Sequence, residues 1–211
     1  MKFFCSVVVL SITTLASDAA DTEVISKPAT GQSDVAIVKA KNDGAGYFFV
    51  DARTGERLGD VLGDLKNARI NAVKCSWSAD GRKVAVFISY GTKLNTVFLY
   101  SLGAHHKMNF VKVPHIDPIE IYQKRNPKKD VSYQLDQASG YSENAIGDWE
   151  TNDTIKIVRG EVKEQDNGTA EHFLVLLEVK IVGDRGEIVK LSALGVLSDD
   201  QAERFLKEWK H

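Results

Sequence analysis

Cysteine is scarce in this chain of 211 residues, which contains only Cys5 and Cys75. Cys5 lies inside an N-terminal segment that we expect to be removed, so the mature chain cannot form an internal disulfide. Its stability must therefore come from the burial of apolar side chains. The alternation of Cys75 with Val73 and Trp77 predicts a buried and unreactive thiol, because free cysteines usually pack as small apolar groups.

An excess of charge of one sign is also absent. The chain has 27 Lys and Arg residues against 29 Asp and Glu residues, which gives a net charge of −2. A near-neutral protein has no strong electrostatic attraction to nucleic acid or to anionic lipid, so we expect neither as a partner. Beyond the N-terminal segment no run of about 18 apolar residues occurs, and we expect no membrane span in the mature chain.

Catalytic signatures are missing as well. The sequence contains no Gly-x-Ser-x-Gly elbow, no His-Glu-x-x-His motif and no glycine-rich phosphate loop. Glu120 and Asp148 can be imagined as the two carboxyl groups of a glycosidase, but no pattern in the sequence joins them. We therefore predict no catalytic residue and no cofactor.

One pair of adjacent histidines raises the question of a metal. His105 and His106 could contribute to a copper or zinc site, yet neighbouring residues of a strand point to opposite faces. Such a site would need further ligands from elsewhere, for example His115 or His172. Because no ligand spacing supports this arrangement, we predict no metal site.

The N-terminus has the pattern of an export signal. Lys2 supplies a short positive region, and residues 3–15 form an apolar stretch that is too short to span a membrane as a helix. Small residues at Ser17 and Ala19 predict cleavage after Ala19, with Ala20 as the next candidate. The signal peptide would thus cover residues 1–19 and direct the protein to the periplasm or the medium. An uncleaved membrane anchor is the alternative.

After residues 20–33, which we interpret as a flexible leader, apolar residues recur with a period of two. Segments of this kind are separated by Asn-Gly, Asp-Gly and similar turn signals, which is typical of antiparallel hairpins. We predict an all-β domain over residues 34–197, with an inserted loop region at 114–148. A C-terminal helix is predicted over residues 198–210, because Ser198 and Gln201 form a capping box ahead of an apolar stripe.

Two segments look like weak copies of each other. Residues 77–86, Trp-Ser-Ala-Asp-Gly-Arg-Lys-Val-Ala-Val, align with residues 149–158, and in both a tryptophan precedes a polar turn and an apolar alternating strand. The first copy resembles the blade repeat of TolB-type β-propellers, in which Trp-Ser-Pro-Asp-Gly-Lys precedes such a strand. Ala79 stands where that repeat has proline, and the second copy lacks the glycine. The resemblance implies blade-like sheets and protein–protein contact in the periplasm.

The number of units is too small for a closed propeller, which usually needs about four to eight four-stranded blades. The sequence shows two nearly full units, around Trp77 and from Trp149 onward, and a partial unit at residues 34–66. We therefore expect an incomplete, propeller-like arrangement of curved sheets or a sandwich, with both tryptophans as core anchors. The oligomeric state is left open.

The inserted region offers the best candidate surface for binding. It combines prolines with basic and aromatic residues, and Asp117-Pro118 could begin a short helix there. The candidate binding residues are Tyr122, Lys124, Arg125, Lys128, Lys129 and Tyr133. The alternative is a solvated loop without a function.

These observations predict an exported, non-enzymatic β-sheet protein that binds another macromolecule, a protein or a glycan, in the periplasm or cell envelope. Two alternatives stay open. One is an envelope hydrolase that acts on peptide or glycan through carboxylates that we cannot identify. The other is a carrier of a small ligand or a metal that uses His105 and His106.

Overall fold

The computed structural model describes residues 22–29, 32–40, 46–61, 70–91, 94–127, 142–164 and 168–209. Within these ranges, twelve strands form three antiparallel sheets of four strands each, and two α-helices accompany them. The predicted fold class, an all-β antiparallel protein with a C-terminal helix, is confirmed. The predicted signal peptide lies outside the described residues. Neither described helix has the length and apolar character that crossing a membrane requires.

Each sheet is a meander in which consecutive strands are hydrogen-bonded neighbours. The first sheet consists of β1 (Thr22–Ser26), β2 (Val35–Ala40), β3 (Tyr47–Asp51) and β4 (Arg57–Asp60). The second consists of β5 (Ile70–Trp77), β6 (Lys83–Tyr90), β7 (Leu94–Leu102) and β8 (Met108–Phe110). The third consists of β9 (Ser142–Trp149), β10 (Thr154–Glu164), β11 (Ala170–Val182) and β12 (Arg185–Leu197). The helices are α1 (Pro118–Arg125) and α2 (Asp199–Glu208).

The Asp-Gly turn between β5 and β6 forms where the sequence predicts it. Gly81 adopts a φ of 67°, a conformation that glycine tolerates better than other residues. The Ser78 hydroxyl donates to Asp80 Oδ1 at 2.6 Å, and the same oxygen accepts from the backbone N–H of Arg82 at 3.1 Å. Burial of Asp80 opposes its ionisation, but these hydrogen bonds outweigh the burial and lower the pKa of the carboxyl group.

The second sheet lies between the other two and is apolar on both faces. Alternate residues of β6 point to opposite sides, as the period of a strand requires. Val86 and Ile88 pack with Phe49 of the first sheet, whereas Ala85 packs with Val175 of the third sheet. All five side chains are buried.

Two tryptophans link successive sheets at equivalent places. Trp77 ends β5, and its indole Nε1 donates to Ser26 Oγ at the end of β1, at 2.9 Å. Trp149 ends β9, and its Nε1 donates to the carbonyl oxygen of Ser76 at the end of β5, at 3.1 Å. Both rings are partly buried and pack against the apolar cores between the sheets. Each tryptophan therefore joins the first strand of its sheet to the first strand of the preceding sheet.

The first sheet begins earlier than the sequence indicated. Residues Thr22–Ser26 belong to the segment that we interpreted as a flexible leader, but they form β1 and pair with β2. That part of the prediction is wrong because a strand of five residues gives little periodic signal on its own. Ile25 packs on the core between the first two sheets, so the first unit has four strands instead of being partial.

The region at 114–148, predicted as an inserted loop, contains regular structure in its described parts. Asp117 caps α1 by accepting a hydrogen bond from the backbone N–H of Glu120 at 2.9 Å, with Pro118 at the start of the helix, as predicted. Residues Ser142–Trp149 form β9, so the third sheet starts before Trp149 and not at it.

The C-terminal helix begins at its predicted cap and packs by its predicted stripe. The backbone N–H of Ser198 donates to Gln201 Oε1 at 3.0 Å, which completes the capping box. Leu206 is buried against Val158 and Leu174, so α2 covers the face of the third sheet that points away from the second.

Replacing Ser198 with alanine is expected to lower the free energy of unfolding by about 1 kcal/mol, because an N-cap hydroxyl satisfies a backbone N–H of the first helical turn. Urea denaturation followed by circular dichroism measures this change. Ser192→Ala, on β12 and outside any cap, is the matched control and should stay within about 0.5 kcal/mol of the parent chain. Equal losses in both variants would show that the cap contributes nothing.

Candidate functional site

The structure describes three of the six predicted binding residues. Tyr122, Lys124 and Arg125 lie on α1, whereas Lys128, Lys129 and Tyr133 lie outside the described residues. The Tyr122 ring packs edge-to-face on Phe173 with 5.5 Å between ring centroids, so it helps to hold α1 on the third sheet. Lys124 Nζ forms an exposed ion pair with Glu120 at 2.6 Å, and Arg125 is exposed. Binding at this surface stays a prediction.

The histidines considered as metal ligands are not brought together. His105 and His106 occupy a short 3₁₀ turn with φ of 61° and 53°. His115 lies beside Glu120, and His172 is enclosed by two carboxylates in the third sheet. Within the described ranges, no three His, Cys, Asp or Glu side chains are arranged to hold a metal ion.

The two carboxylates of the imagined glycosidase pair have different partners. Glu120 is bonded to Lys124 on α1, and this hydrogen bond lowers the pKa of the Glu120 carboxyl group. Asp148 lies near the end of β9, where its charge acts on Lys156. Among the described residues, no hydrogen bond joins a histidine to a serine or to Cys75. Burial raises the pKa of the Cys75 thiol to about 11, against a smaller opposite effect of its hydrogen bond with Ser26, as expected for an unreactive thiol.

The arrangement of β9 leaves a cleft between the second and third sheets. At its start, Ser142 Oγ donates to the carbonyl oxygen of Asn95 on β7 at 2.7 Å. At its end, Trp149 is bonded to Ser76 on β5. The strand thus crosses the second sheet from β7 to β5. This crossing leaves part of the face of β5 and β6 uncovered.

We call this space the β5–β9 cleft; it has a volume of about 350 Å³. On one wall lie Ala72 and Lys74 of β5 and Phe87 of β6, and on the other lies Ile146 of β9. Alternation along β5 places Ala72 and Lys74 on the same face, with Lys74 paired in register with Phe87. These walls combine apolar surface with one exposed lysine, and the polar residues Ser89, Asn95, Glu143 and Asn144 also line the cleft.

Helix α2 supplies a third side of the cleft through Leu206 and Trp209. The indole of Trp209 lies over Gly147 of β9, where a Cβ atom would overlap the ring. A glycine at this position thus allows the tryptophan to reach the cleft. Trp209 also lines a smaller neighbouring space of about 160 Å³, together with Asp148 and Glu208.

Both strands that flank the cleft are edges of their sheets. β5 pairs only with β6, and β9 pairs only with β10, within the part of the chain that the structure describes. An edge strand presents unpaired backbone N–H and C=O groups, which can accept a further strand. The cleft therefore joins free backbone groups to apolar side chains in one place.

A second arrangement lies next to the cleft, and no local sequence pattern predicts its geometry. The imidazole of His172 on β11 contacts Glu143 Oε2 through Nδ1 at 2.7 Å and Asp199 Oδ1 through Nε2 at 2.8 Å. We call Glu143, His172 and Asp199 the carboxylate–histidine clasp. The only usable sequence signal was a histidine alternating with Leu174 on a strand, combined with acids at a predicted helix start.

Neither the family models nor the curated proteins nor the solved structures yield a match to this chain. What the chain does must therefore be inferred from its own residues. Chemically, the β5–β9 cleft can bind apolar side chains and pair with an extended backbone. The clasp offers no free ring nitrogen, because both nitrogens of His172 are occupied by carboxylates.

Proposed function

We propose that this chain is an exported, non-enzymatic β-sheet protein that binds an extended segment of another protein in the β5–β9 cleft. The bound segment would add a strand beside β5 and place alternate side chains into the cleft. Main-chain hydrogen bonds would supply affinity, and the side chains lining the cleft would supply selectivity. The periplasm or the cell envelope is the proposed place of action.

The observation that carries this proposal is an apolar cleft beside a strand edge, that of β5, to which no described strand pairs. Soluble proteins usually protect an edge strand with charges, prolines or a covering element. β5 has one charged residue, Lys74, and no proline. Phe87, Ile146 and Trp209 lie around the space that an added strand would enter.

Among the described residues, two charged ones line the cleft, Lys74 and Glu143. Because Glu143 is bonded to His172, Lys74 is the charge that a bound segment would meet. The Lys74 ammonium group would pair with an acidic residue directly opposite on the added strand. Neighbouring positions that point to the same face would place aliphatic or aromatic side chains against Phe87 and Trp209. A protein segment fits this combination better than a glycan, because a glycan has no backbone N–H groups to pair with an edge strand.

The proposed location outside the cytosol and the proposed likeness to propeller blades are supported by different observations. The export pattern of residues 1–19 supports action outside the cytosol. Three meanders stacked in chain order and linked by Trp77 and Trp149 support the likeness to blades of TolB-type propellers. No contact among the described residues favours the hydrolase or the metal carrier over protein binding.

The proposal is tested by selecting peptides from a random display library on the full-length chain and measuring their affinities by fluorescence anisotropy. Ala72→Phe, which fills the cleft from an exposed position of β5, should weaken binding at least about tenfold. Trp209→Ala should weaken it as well, because it removes an aromatic wall of the cleft.

The matched control is Ala52→Phe, the same substitution in the exposed turn after β3, which should leave the affinity unchanged. Selected peptides that bind the Ala72→Phe variant as tightly as the parent chain would place their site elsewhere. Failure to enrich any peptide would count against strand addition as the function of the cleft.

A further inference from the structure

The clasp holds the start of α2 on the third sheet. His172 belongs to β11, Glu143 to β9 and Asp199 to the first turn of α2. The histidine side chain is only 8 % exposed, whereas that of Asp199 is 65 % exposed. One buried imidazole thus connects an edge strand to a helix that the chain reaches only after β12.

The geometry requires a particular protonation state. Each ring nitrogen of His172 lies within hydrogen-bond distance of a carboxylate oxygen, and an ionised carboxylate can only accept. Only the imidazolium form has a donor on both nitrogens. The charged histidine therefore satisfies both carboxylates, whereas the neutral form leaves one nitrogen lone pair facing a carboxylate oxygen.

The electrostatic surroundings of His172 also favour its imidazolium form. Burial of the imidazole opposes its protonation, but the hydrogen bonds to Asp199 and Glu143 outweigh burial and raise the pKa of His172 above its usual 6.5. The hydrogen bond with His172 also lowers the pKa of the Asp199 carboxyl group, so that group stays ionised in mildly acidic solution. The clasp therefore stabilises the fold in mildly acidic solution, and this contribution is lost as the pH rises through the raised pKa of His172. In more strongly acidic solution it is lost again as Asp199 takes up a proton.

The other neighbours of His172 add little charge. In register with it lie Val162 of β10 and Leu197 of β12, both apolar. The next charged side chain on the same face of β10 is Glu164, two residues beyond Val162. On α2, Asp200 and Glu203 are exposed. Glu143 and Asp199 are therefore the groups whose charges control the protonation of this histidine.

Two connections lead from the clasp to the cleft. Glu143 itself belongs to the lining of the cleft, and α2 contributes Leu206 and Trp209 to the same lining. A change at the start of α2 can therefore change the position of the indole that lies over Gly147.

We propose that the carboxylate–histidine clasp regulates the β5–β9 cleft by coupling the protonation of His172 to the position of α2. With the imidazolium in place, α2 is fixed and Trp209 forms a wall of the cleft. Loss of the proton as the pH rises loosens the first turn of α2 and moves Trp209 away from Gly147. The use of this movement for binding rests on the proposed function of the cleft, whereas the movement itself does not.

The movement is tested without any ligand by labelling the full-length chain with 5-fluorotryptophan and recording its ¹⁹F spectrum across pH. Trp209→Phe identifies the resonance of Trp209, and nitrogen-detected NMR follows the imidazole of His172. We expect the Trp209 resonance to shift with the same midpoint as His172, above 6.5. The resonances of Trp77 and Trp149, which lie in the cores between sheets, should not shift with that midpoint.

Three variants separate the clasp from other titrating groups. His172→Gln should abolish the shift of the Trp209 resonance, and His106→Gln, on an exposed turn, should leave it intact. Asp199→Asn removes one carboxylate but keeps the helix cap residue Ser198, and should lower the midpoint of both His172 and Trp209. The Asp199→Asn variant keeps the test decisive if His172→Gln does not fold.

The proposal is overturned if His172 titrates while Trp209 stays still, or if the shift of Trp209 persists in His172→Gln. Either result would leave peptide binding at the cleft untouched. If instead no peptide were selected while His172 and Trp209 changed with the same midpoint, only the proposed function would be refuted, and the coupling would stand. Where peptides are found, their affinity should fall as the pH rises through the same midpoint.

Discussion

A Trp149→Ala variant is expected to lose about 3–5 kcal/mol of its free energy of unfolding. The indole of Trp149 packs against the core between the second and third sheets, and its Nε1 donates to the carbonyl oxygen of Ser76. Truncation would leave a cavity between the sheets and a backbone oxygen without this donor. Urea denaturation, followed by circular dichroism at a wavelength dominated by strands, measures the loss.

Two further variants separate the contributions of the ring and of the hydrogen bond. Trp149→Phe keeps an aromatic ring but removes the N–H donor, and should cost only about 1 kcal/mol for the hydrogen bond, plus a smaller packing loss. Trp77→Ala should behave like Trp149→Ala, because Trp77 makes the equivalent link to Ser26. A loss below about 1 kcal/mol in Trp149→Ala would show that this tryptophan does not anchor the sheets.

Gly160→Ala is expected to lower the free energy of unfolding by about 1–3 kcal/mol, although the change adds only one methyl group. Gly160 lies in β10 between Glu143 of β9 and Leu174 of β11. A Cβ atom there would lie 2.6 Å from the backbone oxygen of Glu143 and would also overlap the side chain of Leu174. Because the obstacle is partly backbone, β9 itself would have to move.

Gly46→Ala provides the matched control, since a Cβ atom at that position meets no atom of the described residues within 4 Å. It should be neutral or slightly stabilising, because alanine restricts the unfolded chain more than glycine does. Thermal denaturation of both variants gives the comparison. In Gly160→Ala the displaced Glu143 should also weaken the clasp, so the midpoint of His172 should fall. Equal stability of the two variants would contradict the close packing of β9 on β10.

Local features of the fold were predictable from the sequence. The Asp-Gly turn at Gly81 forms as expected, because its hydrogen bonds join residues that are at most five positions apart. The capping of α1 by Asp117 and of α2 by Ser198 is equally local. These elements are determined by neighbours in the chain, which a sequence pattern records.

Features that depend on distant residues were not predictable. β1 gives almost no periodic signal, and it becomes a strand because it pairs with β2 and receives the indole of Trp77. The clasp joins residues that are 27 and 29 positions apart, and their approach depends on where α2 packs. The β5–β9 cleft results from the course of β9 across the second sheet, which no local pattern encodes.

The order of the strands has a consequence for how the chain acquires its structure during synthesis. In all three sheets each described strand bonds to the strand made just before or just after it. A sheet can therefore be completed as soon as its fourth strand has emerged, without waiting for later segments, and short loops between partners favour rapid closure. As the polypeptide emerges from the ribosome, the sheets would form one after another, and α2 would follow the third sheet and cover its apolar face.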